Sequence, residues 1–258
     1  MSEAGEVRAV RFSQAWIVAT KDFAVFRTRR YIVYSIAVVP LIVSLSLPLI
    51  TWYASDVGRR GAPISATGIT ALLPTFAFFY LFLAGVIPVS VASYTLVGEK
   101  VEKSLEPLLA TPTTDGEILF GKGVAAFLLP LASILGGAVI FMGLTDAVTF
   151  DKLGYYFFPN TNAAILFFLM VPLAVVMSTE WNVLVSSKVN DVRIAQQIGI
   201  LLALPLVGIY VAGQANLVSL SDTDALLTIA GALLLIDLVF FYVARAAFRR
   251  EAILTQWK

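Results

Sequence analysis

Apolar residues fall in six long runs, at approximately Tyr31–Ala54, Ile69–Tyr94, Val124–Leu144, Ala163–Val185, Ala195–Gln214 and Ala225–Ala244, with short polar or charged connections between them. Each run is near the ~20 residues that cross a hydrocarbon core as a helix. None alternates with the period of two that a barrel strand needs, so the pattern predicts an all-α polytopic membrane protein with six transmembrane helices. Ahead of the first run, Phe12, Trp16, Ala19, Phe23 and Phe26 recur at helical spacing, with Arg11, Lys21, Asp22 and Arg27 mostly off that line. This predicts an amphipathic helix on the membrane surface, abutted by the basic run Arg27, Arg29, Arg30. The first twenty residues lack the long apolar core and small-residue cleavage site of a secretory signal. The expected organisation is an interfacial helix over 1–30, a six-span domain over 31–245 and a cytoplasmic tail over 246–258.

The longest charged interruption runs from Gly98 to Lys122. Its first part places Val101, Leu105, Leu108 and Leu109 at helical spacings, which makes one apolar face on a brief charged helix. Pro107 disfavours helical geometry at Glu106, and Thr111-Pro112 ends the segment. Thr114-x-x-Glu117, followed directly by Ile118, Leu119 and Phe120, is a capping box that predicts a new helix. Lys122 is expected at the membrane entry, its stem along lipid and its ammonium among the headgroups. The expectation is helix, turn and capped helix laid against the inner membrane surface.

Composition agrees with the pattern. The 258 residues are 59% hydrophobic with a mean hydropathy of +0.88, more apolar surface than a soluble domain of this length hides. Threading six spans through the chain puts 15 of the 18 Lys and Arg residues on one side and Arg59, Arg60 and Lys152 on the other. The positive-inside rule then makes both termini and the 98–122 segment cytoplasmic, in the plasma (inner) membrane. The outer connections, Ser55–Gly68, Thr145–Asn162 and Ala215–Asp224, are short, and Trp52, Tyr53, Tyr155 and Tyr156 fall where an outer aromatic belt belongs. Seven of the 11 prolines lie inside spans (Pro40, Pro48, Pro74, Pro88, Pro130, Pro172 and Pro205), either as hinges or as kinks that membrane helices tolerate. There is no internal repeat of the kind many secondary transporters carry.

A net charge of +1 offers nothing to nucleic acid, and the absence of Cys and His removes disulfides, thiol nucleophiles, imidazole bases and the usual zinc ligands. No span carries an interior Lys to activate a Ser, so an enzymatic role is not expected. Gly116-x-x-x-x-Gly121-Lys122 nearly spells a phosphate-binding loop, but Gly123 stands where Ser or Thr would hold magnesium. Leu233–Asp237 resembles a magnesium-binding strand end, yet lies inside a span. ATP hydrolysis is therefore not expected in this chain. Two carboxylates, Glu180 and Asp237, lie within spans, where acids face a partner or a wet cavity. They are candidates for the translocation path or an ion site, or for inter-helix hydrogen bonding. The aromatic run on the second span adds Phe79 and Phe82 as candidates for an apolar path.

The pattern carried by Glu102, Lys103, Ser104, Leu105, Glu106, Leu108, Leu109, Thr111, Pro112, Glu117, Ile118, Gly121 and Lys122 resembles the permease subunits of ABC type-2 exporters. A Gly-Thr pair often precedes Leu-Glu in such permeases, and Lys103-Ser104 stands here instead. Asn190 to Gln197, with Asp191, Arg193 and Gln196, is similar to that family's next cytoplasmic turn, with Pro205 beyond. The resemblance implies a permease that pairs with a second permease subunit, as a homo- or heterodimer, and binds a separate ATPase subunit. ATP and Mg would sit on that partner, with no cofactor in this chain. It also implies that the first cytoplasmic loop is a coupling helix docking on the ATPase, with the N-terminal surface helix beside it. Drug, antibiotic, lipid and sodium ion are all compatible as substrate. A different class remains open, an autonomous ion-coupled transporter using Glu180 and Asp237.

Overall fold

The computed structural model describes residues 12–57, 65–98, 113–215 and 217–247. Among them every regular element is helical. They are α1 (Phe12–Thr28), α2 (Arg30–Val57), α3 (Ala66–Ser93) running into a π-helical turn (Tyr94–Gly98), α4 (Asp115–Leu153), α5 (Thr161–Ile165) with a second π-helical turn (Leu166–Met170), α6 (Val171–Lys188), α7 (Val192–Ile200), α8 (Ala203–Gln214) and α9 (Thr223–Ala247). Six stretches are long and apolar enough to cross a membrane: Arg30–Ala54, Ala66–Ser93, Gly116–Leu153, Thr161–Lys188, Val192–Gly213 and Thr223–Ala244. The fold is all-α and polytopic, with each expected span in place.

Local chemistry sets the helix ends. Ser65 caps α3 by accepting from the Gly68 N–H, and Asn160 caps α5 by accepting from Ala163. α4 ends at Gly154, whose φ of 74° is the left-handed value that suits glycine and lets its N–H bond Phe150 O. Asp146, near that end, is buried and accepts from the N–H groups of Phe157 and Phe158, which turns the chain back toward α5.

α3 is the central span. Leu73, Tyr80, Leu81 and Ala84 are fully buried, and α2, α4, α6 and α8 all pack on it. Two polar junctions pin it. In the first, the Ser44 and Tyr80 hydroxyls lie 2.7 Å apart, and each also reaches a carbonyl, Pro40 O at 2.6 Å and Gly137 O at 3.3 Å. A Cβ on Gly137 would stand 2.7 Å from Ser44 Oγ, so the bare backbone of α4 is what lets the three helices meet. In the second, Ser178 donates to Gly85 O at 2.8 Å, Ser93 donates to Asn182 Oδ1 at 3.1 Å, and Asn182 donates back to Ser178 O at 2.7 Å. These satisfy polar groups that hydrocarbon would leave unpaired, and they fix the register of α3 on α6.

One expectation needs correction. The capped helix at Thr114 does not lie apart from the third span as a surface piece. It is the beginning of α4, 39 residues long, which also absorbs the start of the expected outer connection at Thr145 and runs unbroken through Pro130. The apolar run beginning at Ile118 continues the helical period without a stop signal, so cap and span fuse. The fifth span lies where expected, and the choice between hinge and kink left open at Pro205 resolves there as a break in the helix. α7 ends at Ile200, and Leu201, Leu202 and Leu204 donate three residues back instead of four. Pro205 has no N–H for Leu201 O and its ring crowds that carbonyl, which accounts for the break one turn before it.

Replacing Tyr80 with Phe keeps the ring but removes the hydroxyl from the α2–α3–α4 junction. The expected cost is about 0.5–1.5 kcal/mol, seen as a lower midpoint in thermal unfolding in detergent.

Candidate functional site

The 98–122 segment is the charged element that the sequence singles out. Glu102, Lys103, Ser104, Leu105, Glu106, Leu108, Leu109, Thr111 and Pro112 lie outside the described residues. Its base is described on both sides: the π turn at Tyr94–Gly98 leads in, and the first two turns of α4 lead out.

The expected capping box is present in full. Glu117 N–H donates to Thr114 Oγ1 at 3.2 Å, and Thr114 N–H donates to Glu117 Oε2 at 2.8 Å. Glu117 is buried, so its carboxylate is spent inward on the helix start.

Lys122 corrects the sequence expectation. Its side chain does not reach the headgroups: it is 1% exposed and points into the protein. Nζ donates to Thr95 O at 2.8 Å and stands 3.6 Å from Asp22 Oδ2. Asp22, on α1, is itself 3% exposed and also lies 3.9 Å from Lys21 Nζ. An ammonium in such a place costs several kcal/mol unless charge and hydrogen bonds meet it, and here both do. The acceptor at Thr95 belongs to the last turns of a helix, where carbonyls lack intrahelical partners and carry partial negative charge.

α1 is accordingly more than a surface float. Ala15, Val18, Ala19, Asp22 and Phe26 are buried, and the helix packs against α4. A Cβ on Gly121 would run into Ala15 O and stand 2.8 Å from Val18 Cβ, so glycine is what admits the α1 backbone. The expected aromatic stripe therefore divides. Phe26 is buried in a small core with Ala19, Ile32, Val91, Ala92, Tyr94, Ala125 and Ala126, with Phe23 partly buried against it. Phe12 and Trp16 stay 74% and 54% exposed. Arg29, at the α1–α2 corner, lies over the Tyr94 ring at 5.4 Å, and Tyr31 meets the same ring edge-on at 6.3 Å.

The turn at 190–197 is local structure first. Asp191 caps α7 by accepting from Arg193 N–H at 2.7 Å and Ile194 N–H at 3.4 Å. Asp191 and Arg193 are exposed and Gln196 half-buried. Just inside the turn, Asn182 lies so close to Gly199 that a Cβ there would collide with its Oδ1.

The four residues proposed for a translocation path fall on two different seams. Phe79 packs on Phe82 and on Tyr210 of α8, at 5.3 and 6.1 Å between ring centroids. Glu180 and Asp237 instead lie on the α6–α9 seam, close enough to interact electrostatically, beside a Trp181–Phe240 ring contact of 5.6 Å. Asp237 continues the buried stripe of α9 formed by Leu226, Ala230 and Leu233 and is 6% exposed. Both of its oxygens, and Glu180 Oε2, are buried without a hydrogen-bond partner among the described residues.

Sequence reasoning missed Asp22 and Thr95. Asp22 carried one signal, an acid between Lys21 and Phe23 on the edge of the apolar face. Nothing marked Thr95, which contributes only its backbone.

No family model matches the chain. The chain is similar to the ABC transporter permease protein NatB of Bacillus subtilis (strain 168), 22% identical over 215 residues, 72% of this chain and 54% of that protein. It thus spans about half the length of the curated relative it matches.

The Gly121 notch predicts a contrast between neighbours. Gly121→Ala forces α1 away from α4 and destabilises by about 1–3 kcal/mol. Gly123→Ala, where an added Cβ meets nothing within 4 Å, is neutral or stabilising by up to about 1 kcal/mol. Thermal unfolding of the two variants in one detergent checks this, and equal midpoints would contradict the close crossing.

Proposed function

We propose that this chain is the membrane-spanning permease subunit of an ATP-driven ABC exporter of the type-2 kind. In this reading both termini and the 98–122 segment are cytoplasmic, a separate ATPase docks on that segment, and a second permease subunit completes the transmembrane bundle. The observation that carries it is the likeness, over 72% of the chain, to a protein named as an ABC transporter permease. Six helices of crossing length support it, as does a charged segment whose two ends are anchored in the core at Thr95 and Lys122. The Leu105, Leu108 and Leu109 face would meet the ATPase, and Glu102, Lys103 and Glu106 would orient it. Closing of the ATPase pair on ATP would then bias the spans between two arrangements.

Purification in mild detergent should recover an ATPase with a complete phosphate-binding loop, and recovery of none would overturn the reading. Replacing Leu105, Glu106 or Leu108 with Ala should leave the chain in the membrane and ATP hydrolysis running. Transport per ATP should fall by about 5- to 150-fold, the span of typical couplings between sites.

One observation favours a second reading, an ion-coupled transporter that works without ATP. Asp237 and Glu180 keep buried carboxylate oxygens without hydrogen-bond partners among the described residues, and intramembrane acids of that sort serve ion and proton paths. Dissipating the ion gradient while ATP is maintained would abolish transport in this case and spare it in the first. Asp237→Asn and Glu180→Gln variants that transport at the full rate would eliminate it.

A further inference from the structure

We infer that Lys122, Asp22 and the Thr95 carbonyl form a clamp that closes the base of the coupling segment onto α1, making Lys122 and Asp22 positioning residues for force transmission. The inference rests on reading 98–122 as the segment that receives the ATPase.

The geometry is that of a three-way junction. Thr95 lies just before residues 99–112 and Lys122 just after them, and the Nζ–O bond of 2.8 Å joins the two directly. Both ends of the segment are thereby held together at its base. Asp22 adds the third element at 3.6 Å, so α1, the end of α3 and the start of α4 share one ammonium. The adjacent Gly121 is what lets α1 approach closely enough to present Asp22 there. The Arg29 and Tyr31 contacts to Tyr94 hold the α1–α2 corner to the same π turn.

A purely structural junction has no need of charge. Apolar side chains of similar volume fill a buried ion-pair site as well or better, whereas an ion pair with a directed hydrogen bond accepts few relative orientations. Here the directed bond spans the two strands leading to the segment. A push delivered to residues 99–112 cannot be taken up by sliding one end past the other; it is passed to α3, α4 and α1 as a unit. α1 becomes the third leg of the transmission, with Phe12 and Trp16 on its exposed side.

The test uses the permease–ATPase complex and needs no transported substrate. Hydrogen–deuterium exchange is compared between the nucleotide-free complex and the complex trapped with ATP and vanadate. In the wild type, trapping should change the exchange of α1 amides and of the first turns of α4 by about 5- to 150-fold. In the apolar double variant Lys122→Met with Asp22→Leu, the ATPase should still co-purify and residues 99–112 should still respond, while the response of α1 is lost. Asp22→Asn, which keeps shape and a hydrogen bond but removes the charge, is the milder variant should the double one fail to fold, and should lose most of the α1 response. Asp22→Glu should retain it. A double variant or Asp22→Asn that passes the full response to α1 would overturn the clamp, as would a wild type in which residues 99–112 respond and α1 does not. Failure of any ATPase to co-purify with the wild type would instead sink the functional reading itself.

Discussion

Hydrocarbon offers no hydrogen bonds, and the main features of this fold answer to that constraint. Six helices cross because only intact helices keep their backbone groups paired. Where the ladder is interrupted, the interruption is lined by protein. At the π turn Tyr94–Gly98, the Thr95 carbonyl accepts from the buried Lys122 ammonium. The break at Leu201–Leu202 is closed by bonds three residues back and flanked by Gly199 against Asn182. The Ser44–Tyr80 and Ser178–Asn182 junctions satisfy hydroxyls and amides within the bundle. Lys122 is a severe case, since it is a full charge rather than a dipole, and two other elements, α1 and the π turn, converge to meet it.

Small residues make that convergence possible. With lipid as apolar as leucine, helices gain by close packing rather than by leaving water. Gly121 admits α1, Gly137 admits Ser44 of α2, Gly85 admits Leu206, and Gly199 admits Asn182. At all four, a hydrogen bond or ion pair sits within a turn of the glycine. Close approach and polar pairing are two halves of one device here: the glycine brings the backbones near, and the polar group then fixes their register.

Legibility in the sequence followed the range of each interaction. The six spans and the Thr114–Glu117 box were readable because each is decided within a few turns, by hydropathy and by a cap three residues long. The break before Pro205 had a local cause in the sequence as well. The partnership of Lys122 was not readable. Its acceptor is a backbone carbonyl 27 residues away, which no side chain advertises, and its counter-ion stands on a helix a hundred residues earlier. Lacking those, lipid headgroups were the natural destination for a lysine at a membrane entry. The division of the α1 stripe was hidden for the same reason: Ala15 and Val18 look unremarkable until Gly121 is seen opposite them. Of the 98–122 segment, the sequence shows an apolar face, while residues 99–112 lie outside the described structure.

The unbroken length of α4 has a mechanical consequence. At 39 residues the helix is about 58 Å long, roughly twice the thickness of the hydrocarbon it crosses. In the proposed reading, a rod of that length, held near one end by Asp22 and Thr95, would work as a lever whose fulcrum lies in the packed middle against Tyr80 and Ser44. A swing of about 5° about that point would carry its far end through roughly 2 Å, under half a helical turn. That far end holds Asp146 and, through it, the backbone of Phe157 and Phe158. A small rotation imposed at one face of the bundle would thereby reach the opposite face as a displacement in the opposite sense.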